Sequence, residues 1–369
     1  MALTLHTARP AAPQAGTLRW PLAPPVAHGG PDTGPPVRHD FSTNTSPCGP
    51  LPSVLAAVRD ADRSRYPEPG YQRLREQLGH AHAVDPARVV VAASASEWIW
   101  RFTALLLRAG GARRVAVPQP GYGEYAAAAQ ANGALLRPYA APRELPAVQP
   151  GELVWVTEPH SPSGQTLGPR LDDWLHDALN QGAQVVLDLA YAPMTGTPLA
   201  RQLDLAWQLW SPNKACGLTG VRAAYAIAPE GEGQAAEALR RHAPPWLLGA
   251  DGVALLQAFH TPAAQAELQG RRPLWQGWRQ RLVQGLLQRG WQAVASDAPF
   301  VLGRPPGHPA LAALWHAAWR TRGLKLRDAG SLGLPGWVRL AALPPDAQQA
   351  LFAVCDTVPG LAHRQDPAP

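Results

Sequence analysis

Ser211-Pro-Asn-Lys214-Ala-Cys-Gly-Leu-Thr-Gly-Val-Arg222 holds one of only two lysines in a chain of 369 residues. The other is Lys325, which lies near Arg322 and Arg327 and is expected on the surface rather than in chemistry, and the remaining 31 basic residues are all arginine. A chain that delegates ion pairing to arginine keeps a lysine where it needs an amine able to lose its proton, which a guanidinium cannot do. An ε-amine condenses with aldehyde cofactors, and Ser211 and Arg222, three before and eight after Lys214, are placed to hold a phosphate. An exposed loop lysine is the plainer alternative. Against it stand two apolar runs, 205–210 leading in and 223–228 leading out. A polar loop between two buried strands is where active sites tend to sit.

Working outward, the length leaves room for roughly two domains. An apolar share of 46% with only 16% charged residues excludes wholesale disorder. No apolar run reaches the ~20 residues that span a bilayer, and the first residues show no signal-peptide pattern, so a cytoplasmic protein without membrane contact is expected. Cys48, Cys216 and Cys355 are odd in number and widely spaced, which argues against a disulfide framework or a metal site. The net charge of +6 comes from scattered arginines. Anionic small substrates account for these as well as nucleic acid does, and no nucleic-acid partner is expected.

Prolines at 10, 13, 21, 24, 25, 31, 35 and 36 make residues 1–50 an arm rather than a helix or central strand. From 51 the pattern alternates: helical spacing at 51–61 and 97–109, and short apolar runs at 89–93, 114–117, 152–156 and 183–188. That alternation predicts an α/β fold, a mostly parallel sheet between helices, over 51–255. Long helices at 263–289 and 309–322 and a strand near 336–342 then predict a smaller α+β domain over 256–369. Ser94-Ala95-Ser96 falls between a strand and a helix start, either a phosphate seat or an ordinary N-cap. Asp188 ends one strand, Tyr191 follows it, and Tyr122 follows another, so all three are expected at the carboxyl edge of the sheet beside Lys214.

These residues resemble the fold-type I pyridoxal-phosphate enzymes of the class I/II aminotransferase superfamily. The carriers are Ser211-x-x-Lys214 with Arg222, Asp188-x-x-Tyr191 and Pro159-His-Ser-Pro-Ser-Gly164. Within that superfamily the chain is most similar to the threonine-phosphate decarboxylase family of cobalamin biosynthesis. The likeness lies in His28-Gly-Gly30, Asp40-Phe-Ser-Thr-Asn44, Arg65-Tyr66-Pro67, Pro120-Gly-Tyr-Gly-Glu-Tyr125, Pro245-Trp246 and Arg327 with Arg339.

The resemblance implies a seven-stranded-type sheet, pyridoxal 5'-phosphate as cofactor, and a homodimer. It implies that Lys214 carries the cofactor, Asp188 holds its ring nitrogen protonated, Tyr191 donates to its phenolic oxygen and Tyr122 stacks on its face. Ser94, Ala95, Ser96, Ser211 and Arg222 would bind its phosphate, with Tyr66 reaching in from a second subunit. His28, Gly29, Asn44, Arg327 and Arg339 would hold a small phosphorylated amino acid.

The bond that breaks at Cα is the one perpendicular to the cofactor ring, so a decarboxylase must turn the carboxylate out of that plane. Anchoring the substrate's phosphate is expected to force this choice. Ser161 stands where the superfamily usually has Asn beside the cofactor, Leu189 where an acid follows Asp188, and Pro299 where Asn is common; the phosphate turn lacks glycine. The expected reaction is decarboxylation of L-threonine O-3-phosphate to (R)-1-amino-2-propanol O-phosphate. An aminotransferase of the histidinol-phosphate type, or a diverged member without turnover, stands as the alternative.

Overall fold

The computed structural model describes residues 26–358, 360 and 361. The expectations placed on 1–25, the first five prolines of the arm among them, lie outside the described residues, as does 362–369.

Short β-branched runs become strands whose alternate residues feed opposite faces. In Leu153–Thr157, Val154 and Val156 join one apolar cluster while Leu153 and Trp155 join another. Val89–Ala92 and Gln184–Asp188 split the same way. A sheet apolar on both faces must be covered on both, and it is. Pro52–Asp60, Gln72–His82, Pro169–Asn180 and Ala250–Phe259 contribute to the first cluster. Ala95–Arg108, Gly123–Ala131 and Gly233–Arg241 contribute to the second, where Trp98 meets Trp155 and Phe102 meets Trp207 edge to face.

The sheet has seven strands, in the order Val89–Ala92, Ala224–Ile227, Trp207–Trp210, Gln184–Asp188, Leu153–Thr157, Arg114–Gln119, Leu135–Ala140. All neighbours run parallel except Ala224–Ile227, which is antiparallel to both of its own. A four-stranded antiparallel sheet joins Arg327–Asp328, Val338–Ala341, Phe300–Arg304 and Gln292–Ala293. It packs with the end of the 26-residue helix Pro262–Leu287 and with Ala312–Thr321 and Pro345–Thr357 around Trp291, Trp315, Trp319 and Phe352. His39–Asp40 pairs in parallel with Leu324–Lys325, which brings the segment before it beside Arg327 and Arg339.

The stretch that opened the sequence reading emerges from the fully buried strand Trp207–Trp210 and returns into the fully buried Ala224–Ile227. Its backbone is stitched to the segment after the arm: Ser46 N–H and the Thr45 hydroxyl donate to the Lys214 carbonyl, and Leu51 N–H donates to that of Cys216. Gly217 permits this approach. Its φ is +69°, and a Cβ there would lie 2.4 Å from the Gly49 carbonyl oxygen. Gly217→Ala is therefore expected to lower unfolding stability by about 2–3 kcal/mol in urea titration. A change within about 0.5 kcal/mol would show that this close approach is not under constraint.

Candidate active site

Parallel strands end together, so the polar residues that follow them converge on one edge. Thr157 pairs with Asp188 across neighbouring strands, and Ser211 begins the loop after the next one. The cavity they face, of about 240 Å³, is walled on its other side by 27–29, 42–44, Arg327 and Arg339.

Lys214 Nζ donates to Ser211 Oγ at 3.1 Å and stands 5.5 Å from the centre of the Tyr191 ring. Ser211 Oγ donates in turn to Asn213 Oδ1 at 3.0 Å, and the Asn213 amide donates to the Val221 carbonyl. Asp188 is buried, and both its oxygens are engaged. Tyr125 O–H donates to Oδ2 at 2.6 Å and Ala190 N–H to Oδ1 at 3.0 Å. Burial, with the Asp188 charge beside it, raises the Tyr125 phenol well above its ordinary value, so it stays a donor.

Ser96 Oγ and Tyr122 O–H bond at 2.9 Å, and burial likewise raises the Tyr122 phenol. Ser94 is a cap: its hydroxyl accepts from Glu97 N–H at 3.0 Å while the Glu97 carboxylate accepts from Ala93 N–H. One Arg222 nitrogen donates to the Thr219 carbonyl.

At the far end Arg339 donates to Ser161 Oγ at 3.1 Å, while its Nε has no partner among the described residues. Asn44 is buried with neither amide atom paired among the described residues. Arg327 donates to Ser331 Oγ and to the Ala27 carbonyl. His28 Nε2 lies 3.0 Å from Glu124 Oε1, and Glu124 accepts from Trp100 through its other oxygen.

Of the residues read from the sequence, Lys214, Asp188, Tyr191, Ala95, Ser96, Tyr122, Ser161, Ser211, Arg222, His28, Gly29, Asn44, Arg327 and Arg339 all line this one cavity. Two do not. Ser94 has its hydroxyl spent on the helix cap, so its side chain is no part of the wall. Tyr66 is 77% exposed and stacks on Trp246 at 4.5 Å, outside the cavity of its own chain. Lys325, read as a surface residue, is only 14% exposed. Tyr125 and Asn213 were missed as site residues. Tyr125 was within reach, three positions after Tyr122 and hence on the same helical side.

These residues fit pyridoxal 5'-phosphate. The cavity offers an amine at Lys214, a held carboxylate at Asp188 and hydroxyls at Ser96 and Ser211. It also offers the start of a 14-residue helix at Ala95, where backbone N–H groups suit a phosphate. The glycine-poor turn does not prevent this, because Ala95 itself lines the cavity.

The family described as Aminotransferase class I and II matches residues 39–353. The histidinol-phosphate aminotransferase of Rhodospirillum centenum is 29% identical over 347 residues, covering 87% of this chain and 91% of its own length. That of Halorubrum lacusprofundi is 28% identical, with 82% and 83% covered. Among solved structures, L-threonine-O-3-phosphate decarboxylase from Porphyromonas gingivalis superposes with a TM-score of 0.76 at 21% identity, covering 86% of this chain and 98% of that one. Histidinol-phosphate aminotransferase from Sinorhizobium meliloti, in complex with pyridoxal-5'-phosphate, gives 0.71 at 23% identity, with 84% and 88% covered.

Behind the site, burial pushes the Glu158 carboxyl up from 4.5 to about 7, against the Leu167 N–H that donates to it. Between those values the folded state holds a proton that the unfolded state has released, so this group makes stability fall as pH rises. Glu158→Gln keeps an acceptor for Leu167 and loses the titration. Its stability relative to wild type is expected to rise by about 2–3 kcal/mol between pH 5 and pH 8 in urea titrations. A difference that does not change with pH would contradict the assignment.

Proposed function

The chain belongs to the class I and II aminotransferase family, and from that premise we propose that it is a lyase that decarboxylates L-threonine O-3-phosphate to (R)-1-amino-2-propanol O-phosphate, a step of cobalamin biosynthesis. Its cofactor is pyridoxal 5'-phosphate, which when bound supplies an electron sink for the pair released at Cα.

The chain's own residues do the rest. Lys214 carries the cofactor on Nζ and returns a proton to Cα. Its Nζ is held at the cavity wall by Ser211 Oγ before the cofactor arrives. Asp188, held by Tyr125 and Ala190, keeps the ring nitrogen protonated. Tyr191 donates to the ring's phenolic oxygen and Tyr122 packs on the ring face. Ser96, Ser211, Arg222 and the helix start at Ala95 take the phosphate, with Tyr66 added by a second copy of the chain.

The observation that carries the reading is at the opposite end. Arg339 Nε and both Asn44 amide atoms are buried there without partners among the described residues, in one wall with His28 and Arg327. Each such group left unpaired costs about 1–3 kcal/mol, so Arg339 Nε and the Asn44 amide nitrogen call for acceptor oxygens of an anionic ligand, and Asn44 Oδ1 calls for a donor on the same ligand. A carboxylate and a phosphate on one small molecule meet that demand at two points, and two points fix which bond at Cα is turned out. His28 and Gly29 line the same end.

The second reading is amino transfer from histidinol phosphate to a 2-oxo acid. The relatives that are histidinol-phosphate aminotransferases, at 26% to 29% identity, favour it.

The deciding experiment incubates cofactor-loaded protein with L-threonine O-3-phosphate and no oxo acid. Carbon dioxide and aminopropanol phosphate in equal amounts are expected, and none with Lys214→Ala. Arg339→Ala is expected to lower kcat/KM about 100-fold, the scale of a buried charge-assisted contact. Turnover only with histidinol phosphate and 2-oxoglutarate would establish the second reading instead.

A further inference from the structure

Lys325 is not in the cavity wall, yet its ammonium is largely withdrawn from water, an arrangement that costs free energy unless the charge is paired and hydrogen-bonded. Its partners all lie 293 or more positions earlier, in the segment 27–34. Nζ donates to the Gly30 carbonyl and forms an ion pair with Asp32 Oδ2 at 2.7 Å. Arg320 takes the other Asp32 oxygen, and these two cations hold the Asp32 carboxyl well below the usual carboxylate range.

The segment is otherwise attached at few points. Gly30 N–H donates to Ser42 Oγ at 2.9 Å, Arg327 reaches the Ala27 carbonyl, and His28 Nε2 lies 3.0 Å from Glu124 Oε1. Gly29 lies so close to the Ser42 carbonyl that a Cβ would stand 2.2 Å from its oxygen. What Lys325 holds is therefore one turn of chain whose previous residues, His28 and Gly29, line the substrate end of the cavity.

An ammonium sends three donors from one point, which suits a carbonyl and a carboxylate met at different angles. A planar guanidinium does not offer that, which explains why this position stays lysine in an arginine-rich chain.

We propose that Lys325 is a positioning residue: with Asp32 it clamps the 27–34 strap over the substrate end of the cavity and so sets the affinity for the anionic substrate. The role rests on the substrate reading above, because His28 and Gly29 matter only if that end binds the substrate.

Two readouts separate the clamp from the reaction. Hydrogen exchange on the full-length, cofactor-loaded protein follows the strap directly. In Lys325→Ala, amides of 29–34 are expected to exchange about tenfold faster, with Leu153–Thr157 unchanged. With L-threonine O-3-phosphate, KM is expected to rise about tenfold and kcat to stay within about twofold.

Asp32→Asn, a change at an exposed carboxylate, is expected to reproduce both effects, and the double variant to add nothing to either single one. Unchanged strap exchange in both variants overturns the clamp, as does a fall in kcat at constant KM or full additivity in the double variant. A wild-type protein inactive on threonine phosphate overturns the function reading alone, since exchange still decides the clamp.

Discussion

A carboxylate removed from water must be paired or held by hydrogen bonds, and the site is arranged around the way Asp188 meets that demand. It stands at the end of a fully paired internal strand, accepting from a phenol that is itself completely buried and from a backbone amide two residues on. Tyr125 in turn is fixed by stacking on Trp155 at 4.7 Å, in the apolar layer beneath the sheet. The orientation of one charge is thus transmitted into the packing of the core, which resists small displacements because protein interiors are close-packed. Lys214 gains its position from the neighbouring strand and from backbone bonds to 45–51, so both side chains inherit the rigidity of the sheet.

The second organising feature is the return of the chain's beginning to its end. His39–Asp40 lies against Leu324–Lys325, and Phe41 N–H bonds to the Lys325 carbonyl. That pairing lays the strap and the 42–44 turn on the four-stranded sheet from which Arg327 and Arg339 project. The cavity is consequently built by three separate parts of the sequence. Its two ends differ in kind: hydroxyls and a helix start at one, two arginines and an asparagine at the other, where Arg339 Nε and the Asn44 amide atoms have no partner among the described residues. Such a division suits a permanently held phosphate ester at one end and an exchanging anionic ligand at the other.

Much of this was legible in the sequence, for local reasons. Buried strands such as 153–157 and 184–188 declare themselves as short apolar runs, and the polar residue that ends each one is then placed at the sheet edge by topology alone. Leu135–Ala140 was not legible, since it is an edge strand with exposed residues and a proline. Nor was the reversed direction of Ala224–Ile227, which depends on neighbours and not on its own residues. In the site, Tyr125 was overlooked because its partner lies 63 positions away, while of the two readings open for Ser94, phosphate seat or N-cap, its hydroxyl takes the cap. Lys325 was placed on the surface because no pattern near it points to a segment almost 300 residues earlier.

Because the chain has only two lysines, the central claim can be tested by asking which of them carries the cofactor. Protein loaded with pyridoxal 5'-phosphate is reduced with borohydride, which fixes the group to its amine, and the peptides are weighed by mass spectrometry. The account predicts the added mass on the peptide containing Lys214 and none on that containing Lys325. Label on Lys325, or on neither, would contradict it.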